Sequence, residues 1–313
     1  IGSAIIMVAG YFGKLDVFNI LLLGVASAVS AIPEGLPVVL AVVLAIGVQR
    51  MAKQNAIVKH LSSVEPLGMA TVVCTDKTGT LTQNIMTVTD IFTSGELYEV
   101  DGTGLSLEGD FWYQGKKIQP LGIDVLRDML TIGALTNHAS VVTREDEDPE
   151  FLGDPTEVAL VVAAEKAGLN KNELLVNYNI IDSIPFSSEL KFQAVLREST
   201  TNQVRSLVGI GAFEVLIKKC KNINWQGSIR PLTKEIKDEV REKYNELAKQ
   251  GYRIIAVVTK NEHSSKTEII TEDLEDMTCL GFFAIIDPPR EEVKVAIEQA
   301  KNAGIRLIMI TGD

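Results

Sequence analysis

Between Val17 and Gln49 the chain carries one charged side chain, Glu34, in a run of apolar and small neutral residues. As one continuous helix, the ~32 residues from Val17 to Val48 would extend about 48 Å, against ~30 Å of bilayer hydrocarbon. A cleaved signal peptide would have a far shorter apolar core. The stretch Ile1 to Gly13 reads as the end of a preceding span, and Lys14-Leu15-Asp16 as a short turn. Arg50, Lys53 and Lys59 follow closely, so the positive-inside rule places everything after Gln49 on the cytoplasmic side. Residues 1–49 are therefore expected in the lipid bilayer, as part of a multi-pass membrane protein.

The middle of this run reads Ile32-Pro33-Glu34-Gly35-Leu36-Pro37. Both prolines lack the amide hydrogen a helix interior needs, and Gly35 adds flexibility. An unwound helix here would free the carbonyls of Val29, Ser30, Ala31 and Ile32. Beside the Glu34 carboxylate, those oxygens make a site for a hard cation. The plainer reading is a proline kink with Glu34 hydrogen-bonded to a neighbouring span. An ionisable group inside a membrane is costly, which favours ligation.

The rest of the chain differs in character. Of the 30 Lys and Arg and 41 Asp and Glu, only Lys14, Asp16 and Glu34 fall in the first 48 residues, so the net charge of −11 belongs almost wholly to the remainder. An acidic body without a basic stripe excludes nucleic acid as a partner. A hydrophobic fraction of 46% with 23% charged residues excludes a disordered chain. Cys74, Cys220 and Cys279 lie far apart, which argues against a disulfide framework or a structural zinc site and for a reduced compartment.

Thr71 to Thr75 is a short β-prone run that leads into Asp76-Lys77-Thr78-Gly79-Thr80-Leu81-Thr82. A strand ending in a carboxylate and then a Gly/Thr-rich loop sets Asp76 at the carboxyl edge of a sheet, where α/β folds place their sites. The loop offers backbone N–H groups and hydroxyls to an anion, and Lys77 offers charge. Asp76 could act there as a nucleophile that becomes an acyl phosphate; an Asp-capped turn with a solvated Lys77 is the plain alternative.

Near the other end, Cys279 to Ile286 reads as a strand, Glu291 to Ala303 as a helix stopped by Gly304, and Ile305 to Ile310 as a buried strand. This strand–helix–strand unit is expected to share one parallel sheet with the Asp76 strand. The intervening block, about Ile91 to Thr278, mixes β-prone runs, polar loops and two helices, and splits the sheet domain in sequence. It is expected to be an inserted domain. Within it, Asp154-Pro155-Thr156-Glu157 is a helix start, with Asp154 as N-cap, Pro155 at N1 and Glu157 placed to close a capping box. Phe186 is either a core residue or an exposed ring near Lys191 that could stack a base. Arg253 is, unaided, a charge at a strand start.

The sequence IPEGLP followed some forty residues later by CTDKTGTLTQN resembles the fourth transmembrane helix and phosphorylation loop of the P-type cation-transporting ATPases, and the resemblance extends from Val17 to Asp313. It implies an α/β fold: a haloacid-dehalogenase-like parallel sheet domain with an inserted α+β nucleotide-binding domain, preceded by transmembrane helices. The corresponding division is 1–49 transmembrane, 50–90 and 279–313 phosphorylation domain, and 91–278 nucleotide-binding domain. It assigns the phosphorylated nucleophile to Asp76, with Lys77 and Thr78 beside it, and Mg²⁺ to Asp76 and the main-chain carbonyl of Thr78. Glu157, Phe186, Lys191, Gly211 and Arg253 take the ATP-binding roles, and Thr311-Gly312-Asp313 resembles the loop beside the phosphorylated Asp. Val29, Ser30, Ile32 and Glu34 would hold the transported cation.

The proline after Leu36 resembles calcium-type pumps of type II, so Ca²⁺ is the expected cargo. Heavy-metal pumps carry a Cys-Pro-Cys-like motif, and the span contains no cysteine. One departure stands out: where the family usually reads Lys-Gly-Ala-Pro-Glu, this chain has Ile210-Gly211-Ala212-Phe213-Glu214. A charge-assisted hydrogen bond of ~1.5–3 kcal/mol is thereby lost from the pocket. A dehalogenase-like phosphatase would need an acid where Thr78 stands; a non-catalytic nucleotide-binding membrane protein is the other competitor. Both chain ends fall beside apolar runs and read as cuts, which makes the chain the central piece of a pump.

Overall fold

A computed structural model of the chain describes residues 2–30, 35–102, 104–142 and 149–311. It divides into two compact units, Ile1–Cys74 with Glu298–Ile308, and Thr75–Ile297 with Met309–Asp313.

The smaller unit opens with three apolar helices, α1 (Gly2–Phe12), α2 (Val17–Ser30) and α3 (Leu36–Ala52), followed by a short α4 (Val64–Gly68). The turn expected at Lys14-Leu15-Asp16 separates α1 from α2, with Lys14 at φ 57°. Pro37 lies in the first turn of α3, where a missing amide removes no hydrogen bond, so it opens a helix rather than breaking one. Residues 31–34, which include Ile32, Pro33 and Glu34, lie outside the described residues. No helix among the described residues is long and apolar enough to cross a membrane. These helices nonetheless turn their apolar side chains outward: Phe12, Phe18, Leu36 and Val38 are all exposed. Strand β1 (Val72–Asp76) follows, where the β-prone run placed it.

The larger unit is built on one eleven-stranded sheet. A meander of β2 (Thr87–Thr93), β3 (Glu96–Val100), β4 (Phe111–Tyr113) and β5 (Lys116–Ile118) forms one flank. Helix α5 (Asp124–Leu135), the separate hairpin β6 (Ser140–Val142) and β7 (Glu150–Leu152), α6 (Pro155–Lys166) and α7 (Lys171–Asn177) come next. The other flank is β8 (Tyr178–Ile184), β9 (Phe192–Ser199) and β10 (Arg205–Ala212). Helix α8 (Phe213–Leu216), β11 (Cys220–Trp225), β12 (Ser228–Pro231) and α9 (Lys234–Lys249) precede the central pair, β13 (Arg253–Glu262) and β14 (Met277–Ile286).

Because successive side chains on a strand point to opposite faces, the sheet feeds two cores. Leu280, Phe283 and Ile285 of β14 pack with Leu126, Met129 and Leu130 of α5 and Leu160 of α6. Phe282 and Ala284 of the same strand pack with Val240 and Leu247 of α9 and with Phe213 of α8. Helices thus cover both faces, and β14 is apolar from Cys279 to Ile286 because it is buried on each.

That double burial corrects one expectation. The strand at Cys279–Ile286 forms, but it pairs antiparallel with β13 and β2, with Phe282 opposite Phe92, and not with the Asp76 strand. The parallel pairing it does make is with β11. A central antiparallel strand buried on both faces is as uniformly apolar as a parallel one, so composition alone does not separate them. The large unit accordingly extends past Thr278, through this strand. The chain closes with α10 (Val293–Asn302) and β15 (Arg306–Ile310), which lies beside β1: the amide of Arg306 donates to the carbonyl of Thr71 at 2.8 Å. Of the sheet expected around Asp76, the described residues hold these two strands.

Candidate functional site

Asp76 is the last residue of β1, and its side chain is exposed. The following Lys77–Leu81 winds as one irregular turn, in which Thr78 (φ −77°, ψ 122°) and Gly79 (φ 75°, ψ −9°) leave helical geometry. The backbone of Thr78 is thus extended inside the turn. Thr82 ties the turn together: its amide donates to the carbonyl of Lys77 at 3.0 Å and its hydroxyl accepts the amide of Gly79 at 3.3 Å.

The loop is clasped by Asp287-Pro288-Pro289-Arg290, the segment that follows β14. The Thr82 hydroxyl donates to Asp287 Oδ2 at 2.5 Å, and the amide of Ile85 donates to Asp287 Oδ1 at 3.1 Å. The amide of Gln83 donates to the carbonyl of Pro288, and that of Arg290 to the carbonyl of Leu81. Arg290 Nη2 completes the clasp at 3.1 Å from the carbonyl of Gly79. Thr311 is exposed after β15, whereas Gly312 and Asp313 lie outside the described residues. Val29 and Ser30 end α2; Ile32 and Glu34 are not among the described residues.

A second group of residues, all in the large unit, lines a cavity of about 480 Å³. Glu157, Phe186, Lys191, Gly211 and Arg253 all stand in its wall, brought together from α6, the β8–β9 connection, β10 and β13. Asp154 caps α6 as expected, accepting the amide of Thr156 at 2.8 Å, with Pro155 behind it. Glu157 does not spend its side chain on a capping box. Its Oε1 accepts from Gln193 Nε2 at 3.0 Å and its Oε2 from the amide of His138 at 3.3 Å.

Phe186 is 57% exposed, which removes the core reading and leaves its ring open to a planar ligand. Lys191 sits at φ 58°, a left-handed conformation that costs a non-glycine residue about 1–3 kcal/mol and tends to cluster at functional sites. Two bonds hold it: its amide donates to the carbonyl of Ser187, and its carbonyl accepts the amide of Ala212, each at 2.8 Å. Arg253 Nη1 donates to the Thr156 hydroxyl at 2.6 Å.

At Gly211 the neighbouring strand comes close: a Cβ there would lie 2.5 Å from the carbonyl oxygen of Lys191 and from Phe192 Cβ. Ile210, in the place of the missing lysine, is only 3% exposed and belongs to the α5–α6 core. Its side chain fills space that an ammonium group would have to leave through the cavity.

Behind Glu157, Lys171 Nζ donates to the carbonyls of Asn137 and Ala139 at 2.7 and 2.6 Å, fixing the turn that presents the His138 amide. Burial holds the Lys171 ammonium down to about 8, against the pull of Glu157. Neither Gln193 nor Lys171 was marked in the sequence, since their contacts join positions distant along the chain and no local pattern signals them. Asp287 and Arg290 lie in the polar Asp-Pro-Pro-Arg break between β14 and α10.

The family described as "P-type ATPase, cytoplasmic domain N" matches residues 125–292. The chain is 40% identical to the calcium-transporting ATPase of Bacillus subtilis (strain 168) over 313 residues, 99% of this chain and 35% of that protein. It is 41% identical over 295 residues to the cation-transporting ATPase pma1 of Synechocystis, covering 92% of this chain and 32% of that one. Human calcium-transporting ATPase type 2C member 1 is 38% identical over 312 residues, 99% of this chain and 32% of its own length. The chain therefore spans about a third of the length of the relatives it matches.

Proposed function

The chain belongs to the P-type ATPases, and from that premise we infer that it serves ATP-driven transport of a cation, Ca²⁺ foremost, through a phosphorylated Asp76. The observation that carries this reading is the convergence of Glu157, Phe186, Lys191, Gly211 and Arg253 on one cavity. The exposed Phe186 ring stacks on the base, Glu157 accepts a hydrogen bond from it, and Lys191 and Arg253 meet the phosphates. One Asp76 oxygen attacks the γ-phosphorus; the new O–P bond forms as the bond to the β-phosphate oxygen breaks, and ADP leaves with that oxygen. Transfer of this kind depends mostly on positioning and charge, and the clasp of Asp287 and Arg290 on the loop supplies the positioning.

Two hard oxygens, the exposed Asp76 carboxylate and the Thr78 main-chain carbonyl, suit Mg²⁺ and would hold it. When bound, the ion neutralises charge on the transferred group. Lys77 adds charge on the same loop, and the sequence Thr311-Gly312-Asp313 resembles the family's loop beside the phosphorylated Asp. We read β1 and β15 as two strands of a haloacid-dehalogenase-like parallel sheet. Residues 1–49 lie in the bilayer, a placement supported by the outward-facing apolar side chains of α1 to α3, and the units after Gln49 face the cytoplasm. Glu34, with the carbonyls of Val29, Ser30 and Ile32, ligates the cation; the calcium-transporting names of the relatives and the Pro-Glu-Gly-Leu-Pro run support Ca²⁺.

The test is chemical. In the complete protein, Asp76→Asn keeps the shape of the side chain and removes its nucleophilicity. It should abolish the acid-stable, hydroxylamine-sensitive label acquired from γ-labelled ATP while nucleotide binding persists. A label that survives the substitution would remove Asp76 from the reaction.

A further inference from the structure

On the face of the sheet that meets α9, Phe92 and Phe282 pack with Val240 and Leu247 of that helix. The same face continues onto the meander in register, with Leu97 opposite Phe92, Glu99 opposite Asp90 and Trp112 opposite Glu99. A bulge in β2 shapes this end of it. Asp90 pairs with Ala284 and Val88 with Ile285, so Thr89 is an extra residue on the strand. Bulges of this kind re-aim side chains, and Thr89 and Asp90 both line one hollow of about 580 Å³, together with Glu99, Trp112 and Tyr252.

Asp90 and Glu99 are like charges directly opposite each other on neighbouring strands, an arrangement that destabilises a sheet. The Thr89 hydroxyl donates to Asp90 Oδ2 at 2.8 Å, while Asp90 Oδ1 and the Glu99 carboxylate have no hydrogen bond or ion pair among the described residues. Two lysines flank the pair, and each is engaged elsewhere: Lys243 with Glu246 at 2.8 Å, and Lys117, opposite Trp112, with Asp110 at 2.7 Å. Burial raises the Asp90 carboxyl above its ordinary range and Glu99 adds to this, against the Thr89 hydrogen bond and Lys243. Leu97, two positions from Glu99 on the same strand face, lies with Phe92 in a second hollow of about 350 Å³, whose other wall includes Glu239, Glu242 and Glu246 of α9.

We propose that the groove between α9 and the meander docks a polypeptide segment bearing arginine, whose guanidinium enters the hollow of Asp90, Glu99 and Trp112. The complementarity is of charge and shape together. A guanidinium donates from a flat fork to carboxylates on two strands while its face lies on an indole, whereas an ammonium is a compact point charge. The aliphatic stem covers the apolar part of the wall. The second acid-lined hollow, on the same strand face, suits a further basic residue of the same segment, which a lone small amine does not supply. Tyr252 packs with the α9 core, whereas Leu160 and Ile210 of the Phe186 cavity belong to the core on the other face, so the proposal stands apart from the nucleotide reading.

The experiment titrates the full chain, at an ionic strength of about 0.15 M, with blocked hexa-arginine, hexa-lysine and spermine, following tryptophan fluorescence. Trp112 stands in the hollow, and Trp225, the only other tryptophan, is 7% exposed. Hexa-arginine should give a saturable change that Trp112→Phe removes. Asp90→Asn with Glu99→Gln should weaken binding about tenfold or more, whereas Glu291→Gln with Glu292→Gln, which takes the same two charges from an exposed place elsewhere, should weaken it less than about twofold. Urea midpoints of both pairs separate loss of fold from loss of binding. Hexa-lysine and spermine should bind about threefold or more weakly than hexa-arginine. No saturable change, equal losses in the two pairs, or equal binding by hexa-lysine would leave only the general attraction of an acidic chain for cations and overturn the proposal. Spermine binding as tightly as hexa-arginine would make the hollow a small-amine site and overturn the polypeptide partner.

Discussion

Gly211→Ala adds one methyl group at the closest approach of two strands. Gly211 lies opposite Phe192 in the β9–β10 register, and the new carbon would meet the Lys191 carbonyl oxygen and Phe192 Cβ at 2.5 Å, and Phe192 Cα at 2.6 Å. Ordinary contacts at such a carbon begin near 3.4 Å. Two of the three atoms are main chain and the third is bonded to it, so no side chain can swing away, and β9 must retreat from β10 by nearly an ångström. The bond from the Ala212 amide to the Lys191 carbonyl, 2.8 Å long, is lost in the process. Overpacking of this kind costs about 1–3 kcal/mol and a strand hydrogen bond about 0.5–1.5, so a loss of about 2–4 kcal/mol is expected. Both tryptophans, Trp112 and Trp225, are in the large unit, so urea unfolding followed by tryptophan fluorescence reads that unit. The same retreat carries Lys191 away from the cavity, and ATP affinity should fall with stability. A midpoint change worth less than about 0.5 kcal/mol, the range of a neutral surface substitution, would refute the close-approach argument.

Arg253→Ala should weaken ATP binding by about 1.5–3 kcal/mol, the value of one charge-assisted hydrogen bond, with ADP less affected than ATP; equal affinities in a calorimetric titration would remove the guanidinium from the phosphates. Asp287→Ala loses two bonds to the phosphorylation loop, and should slow phosphoenzyme formation by about tenfold or more while ATP affinity stays near its original value. An unchanged rate in rapid-quench labelling would show the clasp to be dispensable. Lys171 titrates at about 8 in the folded chain against 10.5 for the unperturbed group. Across that interval the unfolded chain holds a proton the folded chain lacks, so this residue's contribution to stability rises with pH from 8 to 10.5 and is constant outside it. Urea midpoints measured across the interval should climb less in Lys171→Met than in the unaltered chain; identical slopes would contradict the burial argument.

Local chemistry was the most legible part of this chain. The β1 strand, the Asp154 cap with Pro155, and the helix that Gly304 stops all follow from residues within a few positions of one another. Contacts across the sheet were not legible. Glu157 could be placed on a helix start, but the partner that turns its carboxylate, Gln193, is on β9 and 36 residues away. Burial of β14 on both faces erased the alternation that would have separated an antiparallel from a parallel strand, so its sheet was misassigned.

The pairing of β2 with β14 sets a timetable for biosynthesis. The Thr93 hydroxyl donates to the Leu280 carbonyl across 187 residues of sequence. At a synthesis rate of ~5–20 residues per second, β2 emerges about 10–40 s before its central neighbour exists. During that interval the meander β2 to β5 has an open edge carrying Ile91 and Phe92, the kind of edge that recruits other chains. The flank from β8 to β10 waits likewise for β13. The sheet is thus joined last at its middle, and the nascent chain's exposure to aggregation is governed by how soon residues 253–286 follow the rest out of the ribosome.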